Sequence, residues 1–210
     1  MAKKGKLIGI GVGPGDTELL TLKAAKVLES IPVIFSPKSA KEKESIALSI
    51  VKPLLEKRDD YKKVMIVEPI FPMIENKNEL EKIWNSAADL VSQYLNTGRD
   101  VAFITLGDPS IFSTYSYLQK RLVDDYEVET IPGITSFTAC AAARNEALVD
   151  SIVLMKASRN STKLELKIKN DKRDKDIYSV QNCTRENEKI VEGFSHEKPY
   201  LTTSIVKFRD

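Results

Sequence analysis

Four glycines at alternate positions, Gly9, Gly11, Gly13 and Gly15, separate the apolar run Leu7–Ile10 from a helical pattern that opens at Thr17. A strand, a glycine-rich turn and a helix in that order put a ligand loop at the C-terminal edge of a sheet. Glycine lets backbone approach a ligand there and tolerates positive φ. The spacing excludes two familiar ligands. A dinucleotide loop needs G-x-G-x-x-G, and its third glycine would fall on Pro14 or Asp16. A P-loop ends in Gly-Lys-Ser/Thr, whereas this loop ends Gly15-Asp16-Thr17. A carboxylate at that point repels phosphate. Asp16 reads instead as an N-cap for the following helix. On its own, the loop is equally well read as an ordinary strand-to-helix turn.

Three further segments share its character. Thr105-Leu106-Gly107-Asp108-Pro109-Ser110 and Ile131-Pro132-Gly133-Ile134-Thr135-Ser136 each follow a strand, and Val153-Leu154-Met155-Lys156 ends another. If these strands are parallel, the loops gather at one edge, where open α/β sheets bind ligands. Backbone amides, two hydroxyls, one carboxylate and one thioether then converge, a set that suits a polar, uncharged-to-cationic ligand with an apolar part. Familiar catalytic machinery is missing. The one histidine, His196, lies in the charged stretch Ser195-His196-Glu197-Lys198 and reads as a solvated loop residue. Cys140, in Ala139-Cys140-Ala141-Ala142, reads as core, and Cys183 has no histidine near it in sequence. With no CxxC and no HExxH, no metal site is expected. A reaction driven by positioning fits this set best.

The elements that must position these residues alternate along the chain. Strands are predicted at Leu7–Ile10, Val33–Phe35, Val64–Val67, Val101–Thr105, Glu127–Ile131, Ser151–Met155, Ile177–Gln181 and Leu201–Phe208. Helices are predicted over 17–30, 45–57, 79–96, 111–122 and 137–143, and the charge run 163–176 reads as a solvated helix face and loop. The βαβ repetition in the first half implies a mostly parallel sheet covered by helices. The chain of 210 residues is long enough for two small α/β domains. Its 32 basic and 30 acidic residues leave a net charge of +2, too balanced for nucleic-acid binding by bulk electrostatics. The glycine-broken apolar run after the basic N-terminus is no signal peptide, and no stretch is long enough to span a bilayer, so a cytoplasmic location is expected.

Three segments, in order along the chain, carry a resemblance. Gly11-Val12-Gly13-Pro14-Gly15-Asp16-Thr17-Glu18-Leu19-Leu20-Thr21-Leu22-Lys23-Ala24, then Gly107-Asp108-Pro109-Ser110-Ile111-Phe112-Ser113-Thr114, then Pro132-Gly133-Ile134-Thr135-Ser136 resemble the signatures of the tetrapyrrole methylases. These are S-adenosylmethionine-dependent enzymes of cobalamin and sirohaem synthesis. Phe35-Ser36-Pro37-Lys38-Ser39, the segment 109–118 and Val153-Leu154-Met155-Lys156-Ala157-Ser158 are similar to the branch that methylates C20 of precorrin-2 or cobalt-factor II. Ser36 stands where the uroporphyrinogen methylases typically carry aspartate, which argues against that reaction.

The resemblance implies two α/β domains, residues 1–106 with a mostly parallel sheet and 107–210 with a mixed one, an active site in the cleft between them, and a homodimer. It implies that S-adenosylmethionine is held by Pro14, Leu106, Gly107, Asp108, Ile111, Thr135, Ser136 and Met155. The tetrapyrrole would meet Gly13 and Pro14, and its carboxylates would pair with Lys38, Lys156 and Arg159, each of which also reads as plain surface charge. Asp108 is the candidate carboxylate for proton removal, with cofactor binding as its other role, and Tyr200 is a candidate ring contact whose alternative is a buried strand-end aromatic. Two departures stand out. The family often has a glycine near Asn182-Cys183-Thr184, and relatives carry an extra strand and helix where only Val149 and Asp150 separate residues 145–148 from the strand at Ser151. Rival readings are a family member acting on another corrin position, ribosomal RNA or a diphthamide precursor, a degenerate inactive methylase, and a nucleotide-binding regulatory module.

Overall fold

A computed structural model describes residues 3–155, 162–195, 197 and 200–209 of the chain. It divides into two compact units, Met1–Ile134 and Thr135–Asp210. In the first unit, five strands, β1 (Leu7–Gly11), β2 (Val33–Phe35), β3 (Met65–Val67), β4 (Val101–Thr105) and β5 (Val128–Ile131), form one sheet in the order β3-β2-β4-β1-β5. Every pairing in it is parallel. The boundary expected at residue 106 therefore differs from the observed division at residue 134. β5 is held in the first sheet by its register with β1, Leu7 opposite Val128 through Ile10 opposite Ile131, and this carries the helix before it into the same unit.

The central strands β1, β2 and β4 are apolar on both faces because both faces are covered. Leu7, Val33, Phe35, Val101 and Phe103 pack with α3 (Lys77–Asn96) and α4 (Tyr115–Leu122). Their neighbours Ile8, Ile10, Ile34, Ala102 and Ile104 pack with α1 (Leu22–Leu28) and α2 (Ile46–Leu55) on the other face. The chain thus leaves β1 toward α1 on one face and leaves the adjacent β4 toward α4 on the other. That divergence makes the β4–β1 boundary a topological switch point, where the loops part and open α/β sheets take their ligands.

Two helices begin later than the apolar periodicity predicts. The first segment opens as a single 3-10 turn, Thr17–Leu19, and α1 starts afresh where the Thr21 hydroxyl accepts from Ala24 N–H at 3.2 Å. Asp16 does cap, accepting from Glu18 N–H at 2.8 Å, but caps that one turn. No long helix therefore points its N-terminus at the glycine loop, a second reason it does not hold phosphate. α4 begins at Tyr115 because Phe112, at φ 50°, cannot be helical.

The second unit holds β6 (Ser151–Met155), β7 (Lys175–Gln181), β8 (Lys189–Glu192) and β9 (Thr202–Phe208) in the order β6-β9-β7-β8, with α5 (Ser136–Ala143) and α6 (Thr162–Asn170). Where a mixed sheet was expected, its described pairings are all antiparallel, since β9 runs between β6 and β7 and opposite to both. The edge strand β8 is only four residues long, with a mostly exposed pattern, so its sequence carries no apolar alternation. Between α5 and β6 the chain turns through residues 144–150, using left-handed Asn145 and Asp150, with no element intervening.

Gly9 is a fold residue rather than a ligand residue. The Tyr115 ring lies on its Cα, and a Cβ there would meet ring carbons at 2.2–2.6 Å. Tyr115 is 1% exposed, and its hydroxyl donates to Glu129 O at 3.1 Å. Gly9→Ala is expected to lower stability by about 2 kcal/mol or more through overpacking, read as a drop in the midpoint of urea unfolding.

Candidate functional site

At the switch point the β1, β4 and β5 loops meet backbone to backbone. Gly13 N–H donates to Gly107 O at 3.3 Å and Gly107 N–H returns a bond to Gly13 O at 2.8 Å. Both residues are left-handed, φ 77° and 70°, a conformation glycine takes without strain. Below this bridge, Gly11 and Gly133 face each other with no room for a side chain. A Cβ on Gly11 would lie 2.6 Å from Gly107 O and Gly133 N, and one on Gly133 would lie 2.2 Å from Gly107 O. The glycines thus serve loop-to-loop packing first.

Asp108 closes the assembly. One carboxylate oxygen accepts from Ser110 N–H at 2.8 Å and from the Ser110 hydroxyl, and the other accepts from Gly133 N–H at 3.0 Å. Burial, with 9% of the residue exposed, pushes the carboxyl up, but the bonds from the Ser110 hydroxyl and the two N–H groups outweigh it and hold the pKa below its ordinary value of 3.8. Asp108 is therefore a fixed negative charge with its oxygens engaged, and a weak base. Leu106, Gly107 and Ile111 remain half-exposed around it, while Gly13 and Pro14 are buried.

Among the other expected site residues, Lys38 extends the β2–β3 pairing past the C-terminal ends of those strands. Its N–H donates to Pro69 O at 3.0 Å, and its ammonium lies 3.9 Å from Glu68. Ser36, just before it, is fully buried, and its hydroxyl pairs at 2.6 Å with Ser45, the N-cap of α2. A buried aspartate there would lose that neutral pairing, which gives the serine a physical reason. In the second unit, the Thr135 hydroxyl is the N-cap of α5, accepting from Thr138 N–H at 3.4 Å. Thr203 Oγ1 donates to Ser136 Oγ at 3.5 Å, and Met155 stands opposite Thr203 in the ladder, so Ser136 and Met155 share one end of the β6–β9 pair. Tyr200 is 40% exposed rather than buried. Lys156, Arg159 and His196 lie outside the described residues.

The second unit also holds what sequence spacing missed. Cys140 and Cys183 are both buried and lie close enough to interact. The neighbouring thiol and burial push the Cys183 thiol far up, so it is no nucleophile. Asn182 and Thr184, on either side of it, take φ 49° and 62°. These are left-handed positions, which glycine takes without strain. No cluster of metal-ligating side chains occurs among the described residues, and no described helix is long and apolar enough to cross a membrane.

The Asp108 clasp has a pH signature. Its folded pKa is lowered, so its stabilisation is present above the unfolded value of 3.8 and is lost as pH falls through the folded value. Asp108→Asn is expected to cost about 1–3 kcal/mol near neutrality. The gap to the parent protein in urea unfolding should narrow below pH 4, and a gap that is constant with pH would contradict the clasp.

The model of the tetrapyrrole (corrin/porphyrin) methylases matches residues 6–151. A probable cobalt-precorrin-2 C(20)-methyltransferase of Methanocaldococcus jannaschii is 38% identical, the match covering 96% of this chain and 96% of that protein. A precorrin-2 C(20)-methyltransferase of Sinorhizobium is 29% identical over 96% of this chain and 95% of its own length. A crystal structure of uroporphyrin-III C-methyl transferase from Thermus thermophilus complexed with S-adenyl homocysteine superposes with a TM-score of 0.67 at 19% identity, covering 97% of each chain, and so shares the fold. With the family model covering most of its length and a full-length relative at 38% identity, the chain belongs to the tetrapyrrole methylases.

Proposed function

We propose that this protein transfers the methyl group of S-adenosylmethionine to the meso carbon C20 of precorrin-2 or cobalt-factor II, a step of cobalamin biosynthesis. That it is an S-adenosylmethionine-dependent C-methyltransferase follows from its family and from the names of its relatives. The observation that carries the reading is the loop junction itself. An ionised, immobilised carboxylate stands at the switch point of a parallel sheet, among half-exposed apolar residues. That is a fitting environment for a sulfonium with an apolar body.

When bound, S-adenosylmethionine supplies a methyl already activated by positive sulfur. The protein's residues then do the remaining work. Leu106, Gly107 and Ile111, with Pro14, are assigned to the donor, and Gly13 and Pro14 to the tetrapyrrole. Thr135, Ser136 and Met155 are also assigned to the donor, and Asp108 holds the loop and offers its fixed charge to the cation. The bonds that depress its pKa make it a poor proton acceptor, so positioning and exclusion of water carry the rate. Lys38, with Lys156 and Arg159, is assigned to the substrate carboxylates, and Tyr200 to the ring. A homodimer is part of the same reading.

The test is incubation with methyl-labelled S-adenosylmethionine and, separately, precorrin-2 and cobalt-factor II. One label per ring, assigned to C20 by carbon NMR, is expected. Label at another ring position contradicts the C20 assignment, and cofactor binding without turnover on either ring marks an inactive relative.

A further inference from the structure

Phe112 is placed where folding alone gives no reason for a phenylalanine. Its side chain is 81% exposed and its backbone is left-handed at φ 50°. Left-handed backbone is costly for a bulky residue, and an exposed ring returns no core packing. Such strain persists only where the surroundings over-determine it. Here they do. On one side Ile111 N–H donates to Asp108 O at 3.2 Å, and Asp108 is itself fastened to Gly133. On the other side, Ser113 Oγ donates to Thr105 Oγ1 at 3.0 Å and accepts from Tyr115 N–H at 3.1 Å, while Ser116 Oγ donates to Ser113 O at 3.0 Å. The loop is braced at both ends and raises one aromatic ring into solvent. It is also the loop that leaves β4 at the switch point, between Gly107 and α4.

We infer that Phe112 is a specificity-determining residue, a fixed apolar platform on which the flat face of the tetrapyrrole lies. This rests on the proposed substrate class. The macrocycle core is planar and apolar while its carboxylates are peripheral, so a neutral aromatic can cover a ring face without meeting charge. Aromatic faces prefer offset stacking, and a ring held by a braced loop loses little freedom on binding. The same reasoning assigns Phe112 no part in bond making: it orients the acceptor and leaves the methyl donor to the glycine junction.

The test separates strain from function. Phe112→Gly removes the ring and suits φ 50°, so the variant should fold with a thermal midpoint equal to or above the parent's. Its Kd for cobalt-factor II, read from the absorbance change of the tetrapyrrole and needing no turnover, should rise roughly five- to tenfold. Its Kd for S-adenosylhomocysteine by calorimetry should stay put, and Phe112→Tyr should bind cobalt-factor II as the parent does. A glycine variant that binds cobalt-factor II as tightly as the parent overturns the inference. So does one that keeps normal ring binding but loses self-association in light scattering, which would make Phe112 a contact between copies. A parent protein that binds the ring and labels a position other than C20 sinks the C20 reading but leaves the platform standing if the glycine variant still binds weakly. A parent that binds no cobalt-factor II at all sinks both.

Discussion

The approach of Gly133 to Gly107, so close that a Cβ would strike the Gly107 carbonyl at 2.2 Å, is the contact on which the site depends. Gly11 lies against both. Three loops from adjacent strands β4, β1 and β5 can converge only because none carries a side chain at the point of contact. Parallel pairing delivers all three loops to the same sheet edge, where β1 and β4 lead to helices on opposite faces. Glycine in this setting is first a packing residue. Whatever surface the loops offer a ligand exists because their backbones have already met.

Electrostatics completes what packing begins. The Asp108 carboxylate fastens the β4 loop to the β5 loop through Gly133 and to itself through Ser110. Charge-assisted bonds of this kind are short and strong, and those made by a carboxylate favour its ionised form. One group thereby fixes loop geometry and provides constant negative charge. A general base would need a pKa nearer neutrality, and Asp108 has moved the other way. The site is built to hold and align, which suits a donor that brings its own leaving group.

Much of this was legible in the sequence, for identifiable reasons. The central strands β1, β2 and β4 are short apolar runs because both faces are buried, and that pattern survives in any single sequence. The Gly107-Asp108-Pro109 and Pro132-Gly133 segments are conspicuous because turn residues directly follow strands there. What escaped was three-dimensional. The collision of Tyr115 with any side chain at position 9 joins residues 106 apart, and no local pattern announces it. The Cys140–Cys183 contact joins a helix to a distant loop. The start of α4 was misplaced because Phe112 fits helical periodicity while its backbone does not. β8 has too few residues and too exposed a pattern to read as a strand. β5 mixes polar and apolar residues, and only its register with β1 shows that it belongs to the first sheet.

The central claim is that side-chain-free packing of the three loops creates the cofactor surface. Calorimetric titration of S-adenosylhomocysteine into the parent protein and into Gly133→Ala tests it most directly, with circular dichroism to confirm that the variant is folded. The added methyl must push the β5 loop off Gly107 and break the Asp108 clasp. The account predicts a folded variant whose affinity falls by about tenfold or more, the loss of one charge-assisted hydrogen bond and its alignment. A folded variant that binds S-adenosylhomocysteine with the parent's affinity would contradict it.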